Sequence, residues 1–301
     1  MEFCVGAVSR RVVEVACKLA KRDPRIVGQI IASRRQVEHD SSGYTGFTSR
    51  ELVEYVRKYS GARMAVVRDH GGPNQGWVED DGVLSFDKDL EAGFTGLHLD
   101  VSRRPNYKQA LELIALFEMY RDKGVWLEVG GEHDPPQWNL YLAMVLPARP
   151  DWVVMNTGTF VWADRQKGTL RPTADVKAET RLFHSMGIRT KAHNWDWLYR
   201  YELKDEIEYV DAYNVAPELA SVEIEALMAV MSPMEVNDLL NHAWASRRWE
   251  RWFSGSEGTF LERAKCAARY VLETPEVKRV RLTHRQEDFI RQRIEDALIA
   301  G

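Results

Sequence analysis

Short apolar runs alternate with amphipathic stretches along most of this chain. Eight runs predict strands at 3–9, 26–33, 63–69, 96–102, 125–131, 151–157, 188–194 and 210–216. Several of the intervening stretches have apolar residues at helical spacing and end with a glycine beside a basic residue, as helices commonly do. Strand then helix, repeated with nearly continuous apolar strands, predicts a parallel closed barrel, the (β/α)8 TIM barrel. A doubly wound open sheet is the competing interpretation, but it would need fewer strands.

The pattern changes near the carboxyl end. Three successive segments there predict helices, "SPMEVNDLLNHAWASRRWERWF", "TFLERAKCAARYVLE" and "THRQEDFIRQRIEDALIAG". Ser232 before Pro233 is typical of a helix start, and Thr283 with Gln286 forms a capping-box pattern. We expect residues 1–231 to form the barrel and residues 232–301 to form a helical extension that packs on it or contacts another subunit. A homo-oligomer is the expected assembly.

Composition excludes some classes of partner. The 301 residues include 41 basic and 45 acidic residues, so a formal net charge of −4 offers no basic surface for nucleic acid or membrane. No apolar run reaches the roughly 18 residues of a membrane span, and the first residues lack a secretory layout. The cysteines Cys4, Cys17 and Cys266 form no disulfide or zinc pattern, which is typical of a cytoplasmic protein.

Polar residues gather where the predicted strands end, and the chemistry of such barrels lies at that end. Strand side chains alternate with period two, so His98 and Asp100 share one face, and so do Lys191 and His193. We expect the side chains of both pairs to point into the barrel. Buried charges are costly unless they are paired or bind a metal, so this concentration indicates a site. A single histidine at a strand end is more often structural, and only the convergence of several favours catalysis.

Two neutral imidazoles with a carboxylate are typical ligands of a catalytic divalent ion. We expect His70, Glu128 and His193 to bind the metal and Asp69 to act as proton donor or acceptor. Zn²⁺ is the expected ion, with Mn²⁺ and Mg²⁺ as alternatives.

Several of these stretches resemble a known family. The chain resembles the class II (metal-dependent) aldolase superfamily, and within it the tagatose-bisphosphate aldolase accessory subunits and the metal-dependent sugar-acid epimerases. The similar segments lie in order between residues 3 and 230 and include "IIASRRQVEHDSSGYTGFT", "VVRDHGGPNQG", "AGFTGLHLDVS", "LEVGGEHD", "KAHNWDWLYR" and "YNVAPELASVEIEALMAV".

The resemblance implies roles for individual residues. Asp69 corresponds to the catalytic acid/base, and His70 and His193 correspond to metal ligands. Glu128 matches the acid of strand five, and Glu132 matches an acidic loop residue that could serve as a second acid/base. Residues expected to bind substrate are Arg34, Gln36, Asp100, Asn156, Asn194 and Asn214.

The chain also departs from the family pattern. Strand six has no histidine, so Asn156, Glu128 or a water would have to complete the metal site. The glycine-rich phosphate loop after strand seven is replaced by "HNWDW". Since backbone N–H groups need glycine to approach a phosphate closely, we expect a sugar, sugar acid or other polyol derivative rather than a bisphosphate. Arg34, Arg35, Arg68 and Arg103 could bind a carboxylate or a differently placed phosphate.

The expected function is aldol cleavage or condensation of a carbohydrate-like substrate through an enediolate. A metal-dependent sugar or uronate epimerase is one alternative, because both reactions begin with the same coordination. A non-catalytic accessory subunit of a ketose-bisphosphate aldolase is another. Lys191 supports a rival mechanism through a Schiff base, although an ion pair with Glu128 or Asp100 is its simpler explanation.

Overall fold

The computed structural model describes residues 2–61, 64–130, 149–156, 173–197, 209–253 and 258–300. Eight parallel strands close into a barrel in which each strand pairs with its neighbours in chain order and β1 pairs with β8. The strands β1 to β8 are Glu2–Gly6, Gln29–Ser33, Ala65–Gly71, Gly96–Leu99, Trp126–Gly130, Trp152–Asn156, Arg189–His193 and Ala212–Val215. The predicted (β/α)8 barrel is therefore confirmed, and every predicted strand overlaps an observed one.

Helices surround this barrel and continue beyond it. The α-helices α1 to α10 of the described residues are Arg10–Arg22, Ser49–Ser60, Val83–Ala92, Asn106–Tyr120, Thr173–Ser185, Pro217–Val230, Pro233–Ala245, Phe260–Ala268, Pro275–Lys278 and His284–Ala300. A short 3₁₀ helix, Arg248–Arg251, follows α7. Ser232 caps α7 in a capping box with Glu235, and Thr283 and Gln286 exchange hydrogen bonds at the start of α10.

The strands are nearly continuous apolar runs because both of their faces are buried. One face packs against the helices in the main hydrophobic core. The other fills the barrel interior with a small apolar cluster made of Cys4, Ile31, Val67, Trp152 and Ala212. Toward the carboxyl ends of the strands, polar side chains replace the apolar ones, so the barrel interior opens at a polar mouth.

The C-terminal segment, residues 232–300, lies against this barrel. Its last helix, α10, packs on α1 and α6 through Ile290, Ile294 and Leu298, which are fully buried. Arg11 of α1 connects three helices, because it bonds Glu287 of α10 and Glu223 of α6. Among the described residues, no helix combines the length and apolar character that a membrane crossing requires.

Candidate functional site

Three buried side chains meet across the mouth of the barrel. Asp69 and His70 come from β3, and His193 comes from β7 on the opposite side of the ring. Their potential ligand atoms all lie within 4.8 Å of one another, and the Nε2 atoms of the two histidines are 2.7 Å apart. Closure of the barrel, and not proximity in sequence, brings these residues together.

A bulge in β3 explains how the adjacent residues Asp69 and His70 both reach the mouth. Strict alternation would turn one of the two side chains outward. The register of β3 against β4 shifts between Arg68 and Gly71, and His70 has a positive φ of 43°. A β-bulge re-aims side chains, and left-handed backbone is uncommon for residues other than glycine. This local irregularity therefore places the imidazole in the site.

Asp100 orients the His70 ring. His70 Nδ1 donates to Asp100 Oδ2 at 2.6 Å, and Asp100 Oδ1 accepts from the backbone N–H of Ser102 at 2.8 Å. Burial raises the pKa of Asp100, but the hydrogen bond from His70 outweighs burial and lowers the pKa to about 2. An ionised acid on Nδ1–H leaves the lone pair on Nε2, which is the usual arrangement of a metal-binding histidine.

Asn214 contacts His193 at Nδ1, as Asp100 contacts His70. Its side-chain amide lies 3.3 Å from His193 Nδ1, while its buried Oδ1 has no hydrogen-bond partner among the described residues. Exchanging the amide oxygen and nitrogen would satisfy that oxygen with an Nδ1–H of His193. This orientation leaves the His193 Nε2 lone pair directed at His70.

His98 supports the pair from below as a neutral ring. Its Nε2 donates to the Gly130 carbonyl at 3.1 Å, and its Nδ1 accepts from the backbone N–H of His70 at 3.3 Å. Asp69 Oδ1 lies 3.5 Å from the same Nδ1. Burial raises the pKa of Asp69, but its contacts with the His70, His98 and His193 rings outweigh burial, so the pKa lies below its usual range.

Asp69, His70 and His193 could hold a metal ion. Two facing imidazole lone pairs repel each other unless a proton or a cation lies between them. The orphaned Asn214 oxygen and the carboxylate on His70 Nδ1 are the outer contacts that a metal-binding histidine needs. Two imidazoles and a carboxylate suit a divalent transition metal, so the residues present fit such an ion.

Glu128 and Lys191 do not join this cluster, although the sequence placed Glu128 among the expected metal ligands. Lys191 Nζ lies 2.5 Å from Glu128 Oε1 and donates to Gln29 Oε1 at 2.9 Å, with both charged side chains fully buried. Burial lowers the pKa of Lys191, but the Glu128 carboxylate outweighs it and holds the pKa above its usual value. Glu128 is thus paired inside the barrel, and a protonated Lys191 is a poor Schiff-base nucleophile.

The predicted arginines divide into two groups. Arg34 pairs with Glu38 and Asp80, and Arg68 pairs with Asp89, so both are buried in ion pairs, and neither is among the described residues that line the pocket. In contrast, Arg35 and Arg103 line the pocket above the histidines.

The other predicted contacts are placed as follows. Gln36 and Asn194 line the pocket, whereas Asp100 and Asn214 hold the two histidines. Asn156 ends β6, and Glu132 lies outside the described residues.

The C-terminal segment contributes a wall of the pocket that the sequence did not reveal. Arg251, Trp252, Arg269 and Tyr270 line the pocket together with Tyr44 and Gln75. Their local sequence predicts only helices, and nothing in it indicates that these residues reach the barrel mouth.

Asp196, in the loop after β7, occupies a helix start that could otherwise bind an anion. Asp196 accepts hydrogen bonds from the backbone N–H groups of Ala216 and Glu218, both at 2.9 Å, at the start of α6. In many barrels a helix start beside the last strands binds phosphate. Here the chain's own carboxylate uses those donors. Burial raises the pKa of Asp196 to about 7.

Comparisons with known proteins agree on the fold. No family model matches the chain, and no curated protein matches it. A probable tagatose 6 phosphate kinase from Sinorhizobium meliloti 1021 is similar in structure, with a TM-score of 0.76 and 19% identity over 100% of this chain and 91% of that one.

Two aldolases are also similar. Fructose-bisphosphate aldolase from Campylobacter jejuni has a TM-score of 0.57 and 13% identity over 99% of this chain and 89% of its own. The YdjI aldolase from Escherichia coli K12 has a TM-score of 0.56 and 12% identity over 93% and 89%. At these identities the comparisons establish a shared barrel fold.

Proposed function

We propose that this chain is a metal-dependent, class II aldolase-like lyase that acts on a sugar or sugar derivative. The observation that carries the proposal is the meeting of His70 and His193 Nε2 atoms at 2.7 Å across the barrel mouth, with Asp69 beside them. The fold shared with two aldolases supports it. His70 and His193 would hold the ion, with Zn²⁺ expected from the two imidazoles.

The bound ion would polarise a substrate carbonyl and stabilise the negative charge that develops on its oxygen. Residues of the chain orient the two imidazoles and remove the substrate proton. Asp100 and Asn214 hold the two imidazoles in place. Asp69 lies beside both imidazoles, so we assign it the removal of a proton from the substrate hydroxyl on the carbon atom whose carbon–carbon bond breaks. Glu132 remains a candidate for the second acid/base.

Metal content of the purified protein tests the ligands. We expect about one divalent ion per chain, with strong loss in His70→Ala and His193→Ala. His184→Ala is the matched control, because His184 is partly exposed and pairs with Asp211 before β8, away from the mouth. Full metal occupancy in both site variants would remove this ligand set.

Turnover tests the reaction. The metal-loaded protein is incubated with a panel of ketoses and uronates, and aldehyde and ketone products are measured, with Asp69→Asn and the EDTA-treated protein as negative controls. We expect cleavage that is lost in both controls. Inversion of a carbon centre with deuterium uptake from D₂O and no cleavage would instead identify an epimerase. Metal binding without any turnover would favour an accessory subunit.

A further inference from the structure

A buried arginine of the C-terminal segment faces the pocket and forms no ion pair with the acidic residues that the structure describes. Arg269 is 7% exposed and lines the pocket. No carboxylate of the described residues lies within ion-pair distance of its guanidinium, unlike Arg34 and Arg68, which are buried and paired. The charge of Arg269 lowers the pKa of the buried Asp196, but the two side chains form no direct ion pair. A buried charge without a direct ion pair is costly, so this position favours an anion arriving from outside.

The surroundings of Arg269 hold its guanidinium in one place. It lies 4.6 Å from the Trp252 ring and donates to the Tyr270 hydroxyl at 3.2 Å. Trp252 Nε1 donates to the same hydroxyl at 2.9 Å. Because the Tyr270 oxygen accepts two hydrogen bonds, its own proton is left to donate. A guanidinium and a phenol together offer charge-assisted hydrogen bonds to anionic oxygens.

Most of the charged side chains that line the pocket are basic. Arg35, Arg103 and Arg251 also line the pocket, and the acidic residue among the described lining residues is Asp69, beside His70 and His193. The helix start of α6, the other candidate for an anion, is taken by Asp196. An anionic group in the pocket would therefore bind at the arginines.

We propose that the C-terminal segment forms an anion subsite of the substrate pocket, in which Arg269 and Tyr270 bind the anionic oxygens of a carboxylate or phosphate group. Resting on the proposed function, the inference places the substrate among sugar acids or sugar phosphates, with its carbonyl toward His70 and His193 and its anionic group toward Arg269.

Anion binding by the full chain tests the subsite without any catalytic assay. Inorganic phosphate and glycolate are titrated separately into the protein. Binding is monitored by calorimetry and by tryptophan fluorescence, because Trp252 is part of the wall. We expect saturable binding of at least one probe that weakens with ionic strength. We expect at least tenfold weaker binding in Arg269→Met and a smaller loss in Tyr270→Phe, which removes one hydroxyl.

The matched control is Arg263→Met. Arg263 is 9% exposed and packs on Trp249 in the same segment, but it does not line the pocket, so its loss should leave anion affinity unchanged. His70→Ala should also bind the probes, which separates a failure of this proposal from a failure of the metal site. Preference for phosphate or glycolate identifies the anionic group. Absence of anion binding by the native chain would overturn the proposal. Anion affinity equal to that of the native chain in both Arg269→Met and Tyr270→Phe would overturn it as well.

Discussion

Lys191 and Glu128 place a charged pair in the interior of the barrel, where apolar layers are the rule. Each side chain also has a neutral neighbour, because Gln29 accepts from Lys191 and Trp126 Nε1 donates to Glu128. Such a pair contributes little net stability, yet losing one partner strands a charge. The pair therefore joins β5 to β7 across the barrel interior.

The first prediction concerns this pair. We expect Lys191→Met to lower the free energy of unfolding by roughly 3–5 kcal/mol, because it leaves Glu128 buried and unpaired. The double variant Glu128→Gln/Lys191→Met should regain part of that loss, measured by urea denaturation at pH 7. Lys88→Met is the control, since Lys88 and Glu91 form an exposed pair at 2.6 Å and should cost at most about 1 kcal/mol. Equal losses in both lysine variants would contradict a burial effect.

The second prediction concerns the orientation of His70. Removing its carboxylate partner in Asp100→Ala frees the ring to rotate, so we expect divalent-metal affinity to fall by about 10–100-fold. Asp100→Asn keeps an oxygen that can accept from Nδ1–H and should retain more of the affinity. Metal titration against a competing chelator measures both. Native affinity in Asp100→Ala would show that packing alone orients the ring.

At the scale of elements, buried polar contacts connect the loop after β2, and β3, to α3. Glu38 bonds Arg34 at 2.7 Å and accepts from Ser85 of α3 at 2.7 Å. Burial raises the pKa of Glu38, but Arg68, Ser85 and Arg34 outweigh burial and lower it from 4.5 to about 2. Arg68 in turn pairs with Asp89 of α3. These contacts hold the outer side of β3 while its bulge carries Asp69 and His70 at the mouth.

The third prediction is a pH dependence of this connection. A carboxyl with a lowered folded-state pKa stabilises the fold above its ordinary pKa and loses that effect as pH falls through the folded value. We expect Glu38→Gln to cost about 3 kcal/mol at pH 7, and the difference from native to shrink between about pH 4.5 and pH 2. Urea denaturation at several pH values measures it. Exposed Glu79→Gln should match native throughout, and a Glu38→Gln cost independent of pH would contradict the assignment.

At the scale of the whole molecule, the C-terminal segment is joined to the barrel by an apolar stripe and an ion-pair cluster. Ile290, Ile294 and Leu298 of α10 are buried at helical spacing, and Arg11 bonds Glu223 and Glu287 beside them. The same segment supplies Arg269 and Tyr270 to the pocket. The position of the segment that supplies these pocket residues therefore depends in part on the packing of α10 against α1 and α6.

The fourth prediction tests that dependence. We expect Ile294→Ala to lower the free energy of unfolding by roughly 2–5 kcal/mol, because it leaves a cavity between α10 and the helices beneath it. Ile299→Ala on the same helix is the control, since Ile299 is 47% exposed and should change stability by about 0.5 kcal/mol or less. Thermal and urea unfolding measure both variants. Similar costs at the two positions would mean that α10 is not held by its buried stripe.

Local patterns in the sequence determined the architecture. Apolar runs predicted the eight strands because each strand is buried on both faces, and capping residues marked the starts of α7 and α10. Period-two alternation placed His98 with Asp100, and Lys191 with His193, inside the barrel. These features depend on neighbours in the chain, so sequence alone carries them.

Only the tertiary structure decided how the site is assembled. The bulge that turns His70 inward, the pairing of Glu128 with Lys191, and the arrival of Arg269 at the mouth all join residues far apart in sequence. Strand register and helix packing set those distances, and neither is written in any local pattern. The sequence therefore determined which chemical groups follow the barrel strands, and packing between distant elements decided which of them meet and which residues of the C-terminal segment join them at the mouth.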